Sequence, residues 1–271
     1  MTLFCACCAP PVAGGCGARK LLCLGDSHTE AILGTDWVGR LANATKGLVD
    51  VVRAGKSGEW AVLIGRRLGP LLDANPNPAG LVILAGTNDV LAATSPAMMA
   101  QYRWLFPGLR GQVATLESYT AEIERMLSTI AARAPNCKVA VVSLPPIGED
   151  MGDAVNAAVG RYNAALAEVV ARHAPRARLV DFHAACQRRL EAARREGARR
   201  PPPFGLMSTA GFLRLQVGAP VLRYVLRWSW QDLSRWNSLE LLTDQVHLND
   251  QAGELLLKEL DPFVKELTAA K

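Results

Sequence analysis

The chain has 271 residues, half of them hydrophobic, and a net charge of +5. That balance excludes a disordered chain and supports a sizeable core, in one large α/β domain or two small ones. No uncharged apolar run reaches the roughly 18 residues of a membrane span.

The N-terminal stretch "MTLFCACCAPPVAGGCGARK" lacks an early basic region, and Pro10 and Pro11 interrupt its short apolar part. It therefore reads as a flexible segment over residues 1–19 rather than a secretory signal, with cytoplasmic or organellar residence expected. It holds Cys5, Cys7, Cys8 and Cys16 of the seven cysteines. S-acylation, with contact to a membrane surface, and metal binding are the two alternatives to a silent terminus. The odd cysteine count argues against a disulfide framework; Cys23, Cys137 and Cys186 sit in or beside apolar runs and read as buried small hydrophobes.

From Lys20 onward, strand-like and helix-like patterns alternate. "KLLCL" (Lys20 to Leu24), "LVDVV" (Leu48 to Val52), "LVILA" (Leu81 to Ala85), "KVAVVSL" (Lys138 to Leu144) and "RLVDF" (Arg178 to Phe182) are predicted strands. Their continuous hydrophobicity suits strands covered on both faces, as in a parallel sheet. Tyr119, Ile123, Met126, Leu127 and Ile130 share one helical face between Ser118 and Ala134; Val155, Val159, Tyr162, Leu166 and Val169 share another. The last helix is predicted after Asn249, its N-cap, running to about Leu267 with Pro262 breaking it in two. Five strands with intervening helices predict a three-layer α/β/α sandwich with a mostly parallel sheet, a single domain over 20–271.

One stretch, about 187–241, interrupts the rhythm and reads as a partly helical insertion. It contains "CQRRLEAARREGARR", with six arginines between Arg188 and Arg200 against two glutamates, and "RWSWQDLSRW". The arginine run is expected to be a solvated helix face. Contact with an anionic lipid surface is the alternative, and no aromatic interleaving or motif supports nucleic acid.

In open parallel sheets, ligands bind beyond the carboxyl ends of the strands. "GDS" follows the first predicted strand, "AGKSGE" (Ala54 to Glu59) the second and "AGTND" (Ala85 to Asp89) the third, while "TDQVHLND" (Thr243 to Asp250) precedes the last helix. Such a set suits acyl transfer. A serine hydroxyl needs a base, and the base needs an orienting carboxylate. Asp244 and His247, three residues apart, can supply both to Ser27. The backbone N–H groups of Ser27 and Gly58 and the side-chain amide of Asn88 are candidate oxyanion donors.

These four blocks, in this order between about Leu21 and Asn249, resemble those of the SGNH (GDSL-type) hydrolases. The resemblance implies a flavodoxin-like α/β/α fold, no metal or organic cofactor, and hydrolysis of a small-molecule ester or thioester through an acyl-enzyme. It implies Ser27 as nucleophile, His247 as base oriented by Asp244, and Ser27, Gly58 and Asn88 as the oxyanion hole. Arg53 stands where many members have asparagine, and Leu248 where a proline is common.

Two other readings are open. Asp26 and His28 have the spacing of a two-metal phosphoesterase, though four histidines are few for such a centre. A catalytically silent binding module of the same fold is the second. The substrate is not legible in the sequence. Trp228, Trp230 and Trp236, with Trp104 and Phe106, are candidates to line a pocket, or else form the insertion's own small core; a partial lid over the site is expected from that insertion.

Overall fold

In the computed structural model, residues 19–205 and 221–269 are described. All of the N-terminal stretch except Arg19 and Lys20 lies outside them, with the cysteine cluster expected to be flexible, and so does 206–220 of the expected insertion.

Five strands form one sheet in the order β2-β1-β3-β4-β5, every neighbouring pair parallel. They are β1 (Arg19–Gly25), β2 (Val49–Gly55), β3 (Gly80–Leu84), β4 (Lys138–Val142) and β5 (Ala177–Val180). This is the flavodoxin-like doubly wound order. The unbroken hydrophobicity of the strands has a simple cause: successive side chains point to opposite faces, and both faces are covered. Leu22 and Leu24 of β1, with Leu81 and Ile83 of β3, face one core; Leu21 and Cys23, with Val82 and Leu84, face the other.

The first core is closed by α3 (Ala61–Ala74), α6 (Leu116–Arg133) and α7 (Ala154–Arg172), through Ile64, Ile123 and Leu166 among others. Between β3 and α6 lie α4 (Thr87–Thr94) and α5 (Pro96–Leu105). The second core is closed by α2 (Trp37–Ala44), α8 (Phe182–Arg195) and the C-terminal helix, which spans Asp250–Ala269. Asn249 caps that helix, accepting the Ala252 N–H at 3.0 Å. Pro262 does not break it. The proline is exposed, while Leu260, Phe263, Val264 and Leu267 on either side are buried in the same cluster and hold both halves to one face.

Within 187–241, the first part is sheet-covering structure. The arginine run begins on α8, whose Cys186, Leu190 and Ala193 are buried, so Arg188, Arg189, Arg194 and Arg195 occupy the outer side of a core helix. Several are paired: Arg189 with Glu196 and Glu240, and Arg188 with Glu259. Further on, the short α9 (Trp230–Trp236) is held by a capping box between Ser229 and Asp232. The C-terminal helix, Asp250–Ala269, is α10.

Candidate active site

β1 delivers Ser27. Asp26, at the end of the strand, caps the short helix α1 (Ser27–Glu30) by accepting the His28 N–H on Oδ1 at 3.0 Å. Ser27 thereby opens a helix, where first-turn N–H groups lack intrahelical partners. Gly25 is required just before it, since a Cβ there would meet Thr29 and the Leu84 carbonyl oxygen. Arg67, from α3, locks two strand ends beneath the turn: its guanidinium donates to the carbonyl oxygens of Gly25 and Ala54 at 2.9 and 2.8 Å, and to Glu59 Oε2 at 2.7 Å.

Asp244 and His247 arrive on the loop before α10. Asp244 Oδ1 accepts the N–H groups of Val246 and His247 at 3.0 and 2.8 Å, a tight turn that puts Gln245 in the left-handed region (φ 78°). The second carboxylate oxygen then meets the imidazole: His247 Nδ1 lies 2.7 Å from Asp244 Oδ2, and His247 Nε2 lies 3.0 Å from Ser27 Oγ. The loop is anchored from β4's side by buried Glu149. Its Oε1 accepts the N–H groups of Leu241 and Leu242 at 2.7 and 2.9 Å, and its Oε2 that of Glu240 at 2.7 Å. A bridge between Leu242 and Leu248 closes the base of the loop.

The electrostatics follow from burial and partners. Burial draws the His247 imidazole down, but the Asp244 charge and hydrogen bond outweigh it and hold its pKa above the ordinary histidine value. Burial would raise Asp244, yet the charge of His247 and the donors around its carboxylate hold it below the usual carboxylate range.

Asn88 stands at the first turn of α4. Its Nδ2 donates to the Glu59 carbonyl oxygen at 3.1 Å and toward Asp26 Oδ2 at 3.3 Å, and its Oδ1 accepts the Tyr102 hydroxyl at 2.6 Å. Two acceptors facing Nδ2 fix which end of the amide is the donor. Gly58 has φ +75°, and a Cβ there would come 2.5 Å from the Phe106 ring, so both backbone and packing require glycine. Ser27, Gly58, Asn88 and His247 line one cavity of about 210 Å³ with Ser57, Leu33, Leu91, Met98, Gln101, Tyr102, Leu105, Phe106 and Val246.

His28 and Asp26 make a different environment. Both ring nitrogens of His28 are buried without a hydrogen-bond partner among the described residues, and its ring lies 5.8 Å from that of His247. Burial, with His247 adding to it, pushes His28 down to about 3, so the ring is neutral at physiological pH. Burial raises Asp26 to about 7. Asp89, whose Oδ2 accepts the Ala61 N–H at 2.9 Å, is likewise raised by burial to about 7, with Asp26 and Glu122 nearby adding to the effect. Among the described residues, no group of three or more histidine, cysteine, aspartate or glutamate side chains is arranged to hold a metal ion.

The candidate tryptophans lie elsewhere. Trp228 packs edge-on against Trp236 at 6.1 Å, Trp230 against Tyr224 at 6.3 Å, and Arg223 covers the Trp230 ring. None of Trp228, Trp230, Trp236 or Trp104 lines the cavity; its aromatic walls are Tyr102 and Phe106. Trp228, Trp230 and Trp236 instead pack on each other and on Tyr224 across α9 and the segment before it, while Trp104 is largely exposed on α5. Sequence reading missed Glu59, Arg67, Asp89, Tyr102 and Glu149. Glu59 and Asp89 fall inside quoted motifs and carried a signal; Arg67, Tyr102 and Glu149 had none, being ordinary residues of helices and a loop.

The five-stranded parallel sandwich thus carries a serine, a histidine and an aspartate in one hydrogen-bonded line at its strand ends. The chain belongs to the GDSL-like lipase/acylhydrolase family, whose model matches residues 23–200. As a member it is an esterase-type enzyme acting on small-molecule substrates. Solved structures agree on the fold. The acetylxylan esterase Axe2 from Geobacillus stearothermophilus is similar with a TM-score of 0.60 at 16% identity, covering 92% of this chain and 94% of that one. A variant of Axe2, described as an acetyl-xylooligosaccharide esterase, gives a TM-score of 0.61 at 17% identity, covering 92% and 94% of the two chains. LAE5, an alpha/beta hydrolase enzyme from the metagenome of Lake Arreo, Spain, gives 0.55 at 18%, covering 93% and 96%. No curated protein sequence matches the chain significantly. No helix among the described residues is long and apolar enough to cross a membrane.

Proposed function

We propose that the chain is a serine esterase in which Ser27 is the nucleophile, His247 the general base and Asp244 its orienting carboxylate. The observation that carries this reading is the continuous line Asp244 Oδ2, His247 Nδ1, His247 Nε2, Ser27 Oγ, at 2.7 and 3.0 Å. Asp244 accepts a hydrogen bond from Nδ1–H, which fixes the tautomer and leaves Nε2 free to take the Ser27 proton as Oγ bonds to the ester carbonyl carbon. The negative charge then grows on the carbonyl oxygen, where the N–H groups of Ser27 and Gly58 donate to it, joined by the Asn88 amide as it turns from its long 3.3 Å contact with Asp26. Collapse breaks the bond to the alcohol oxygen, and His247 hands its proton to that leaving group. Water repeats the sequence on the acyl-enzyme, with His247 again as base, releasing the carboxylic acid and restoring Ser27.

Reaction with a small fluorophosphonate, followed by mass spectrometry, tests the assignment. One phosphonyl adduct on Ser27 in the native chain and none in Ser27→Ala is the expected result; an undiminished adduct in Ser27→Ala removes Ser27 as nucleophile.

A further inference from the structure

We infer that the cavity beside Ser27 is an acyl pocket for an unbranched, medium-length chain, an inference that rests on the serine-esterase reading. Its lining is apolar apart from the reacting groups. Leu33, Leu91, Met98, Leu105, Phe106 and Val246 supply most of the wall. Of the remaining polar groups, the Ser57 hydroxyl already donates to Glu30 and the Tyr102 hydroxyl to Asn88, which leaves Gln101 as the one further polar side chain among the described residues. A polyol placed there would lose its water without gaining partners, whereas a hydrocarbon chain gains by burial.

The side of the ester that enters follows from where the wall is attached. Tyr102 is bonded to Asn88, and Phe106 packs on Gly58, so α5 and the residue after it extend the pocket from the candidate oxyanion donors. The carbonyl oxygen would point at those donors, and the alcohol oxygen must stay within reach of His247 Nε2, which protonates it. The apolar wall beyond the donors therefore receives the acyl chain. Burial grades the wall: Leu91 and Met98 are nearly inaccessible, while Leu105 is 47% exposed and marks the mouth. The size matches. An apolar cavity of about 150 Å³ holds one benzene ring, so one of about 210 Å³ takes a chain of about six to eight carbons.

The experiment is a p-nitrophenyl ester series from acetate to palmitate, run beside acetate esters of alcohols of increasing length. For the acyl series, kcat/KM should rise about tenfold or more from acetate to hexanoate or octanoate and fall for palmitate, while the alcohol series stays within about threefold. Met98→Ala should move the optimum to longer chains. Leu105→Glu, at a position exposed enough to accept the charge, should lower the octanoate-to-acetate ratio of kcat/KM about tenfold. A flat or falling acyl series, a length preference confined to the alcohol, or acetylated xylose outperforming octanoate would overturn the inference. If fluorophosphonate labelling of Ser27 persists alongside such a result, the pocket assignment fails alone; if the native chain is not labelled, the esterase mechanism fails and the pocket with it.

Discussion

The molecule carries two aspartate–histidine pairs side by side, Asp26 with His28 and Asp244 with His247. Their rings are 5.8 Å apart, and the side chains of both pairs are buried. Only one is wired side chain to side chain. In the Asp244 turn the carboxylate meets the imidazole, and each stabilises the charge of the other. In the Asp26 turn the carboxylate is spent on the His28 backbone N–H and the Asn88 amide, and the His28 ring has no hydrogen-bond partner for either nitrogen among the described residues. Burial then dominates: with His247 nearby it holds the His28 ring neutral, and it lifts Asp26 to about 7. Residue type and burial are shared by the two pairs, so the chemistry is set by which atoms the local turn brings into line.

The sharpest way to break the comparison is to remove each ring. His247→Ala, like Ser27→Ala, should lower kcat for p-nitrophenyl acetate by about 10⁴ or more, with circular dichroism unchanged. His28→Phe should change kcat/KM by less than about tenfold. If the two histidine variants exchanged these outcomes, the assignment of the base would be wrong, and sensitivity to EDTA in the native chain would point to the metal alternative.

Asn88→Ala comes next, with kcat down about 10²–10³ and a smaller change in KM, as the proposed role of the amide on the developing oxyanion requires. A change confined to KM in steady-state assays would reassign Asn88 to substrate binding.

The pH profile sharpens the comparison without mutation. The proposed mechanism requires neutral His247, and its pKa is raised in the folded protein, so the acid limb of kcat/KM should lie above 6.5. His28→Phe should leave that limb within a few tenths of a pH unit, since a ring already neutral takes no part in it. A limb below the ordinary histidine value would mean that burial outweighs Asp244.

Smaller effects concern the supports. Glu149→Gln replaces a carboxylate that accepts three backbone N–H groups and should cost about 1–3 kcal/mol in chemical denaturation. An unchanged midpoint would show that the 240–242 segment holds itself in place. Asp89 has a raised folded pKa, so its contribution is favourable below its unfolded value near 3.8 and is lost as pH rises through about 7. Asp89→Asn, which keeps an acceptor for Ala61, should raise the melting temperature relative to the native chain at pH 8. The difference should shrink toward pH 5, where Asp89 is protonated in the folded chain; a difference independent of pH would discount its titration.

The sequence by itself determined the alternation of strands and helices, the burial of each strand on two faces, the cap at Asn249 and the placement of Ser27, Gly58, Asn88, Asp244 and His247 at strand ends or before a helix. These are local patterns of hydrophobicity and turn chemistry, legible within a few residues. The tertiary structure alone decided the rest. That Arg67 braces Gly25, that Glu149 holds Leu241, and that Tyr102 holds Asn88 are meetings between distant or differently oriented elements. Pro262 leaves α10 whole because packing on both sides outweighs one missing hydrogen bond, and Trp228 and Trp236 pack together instead of lining the cavity. No spacing encodes such choices, because hydrogen bonds and packing depend on where whole elements dock, and docking sums over residues far apart in the chain.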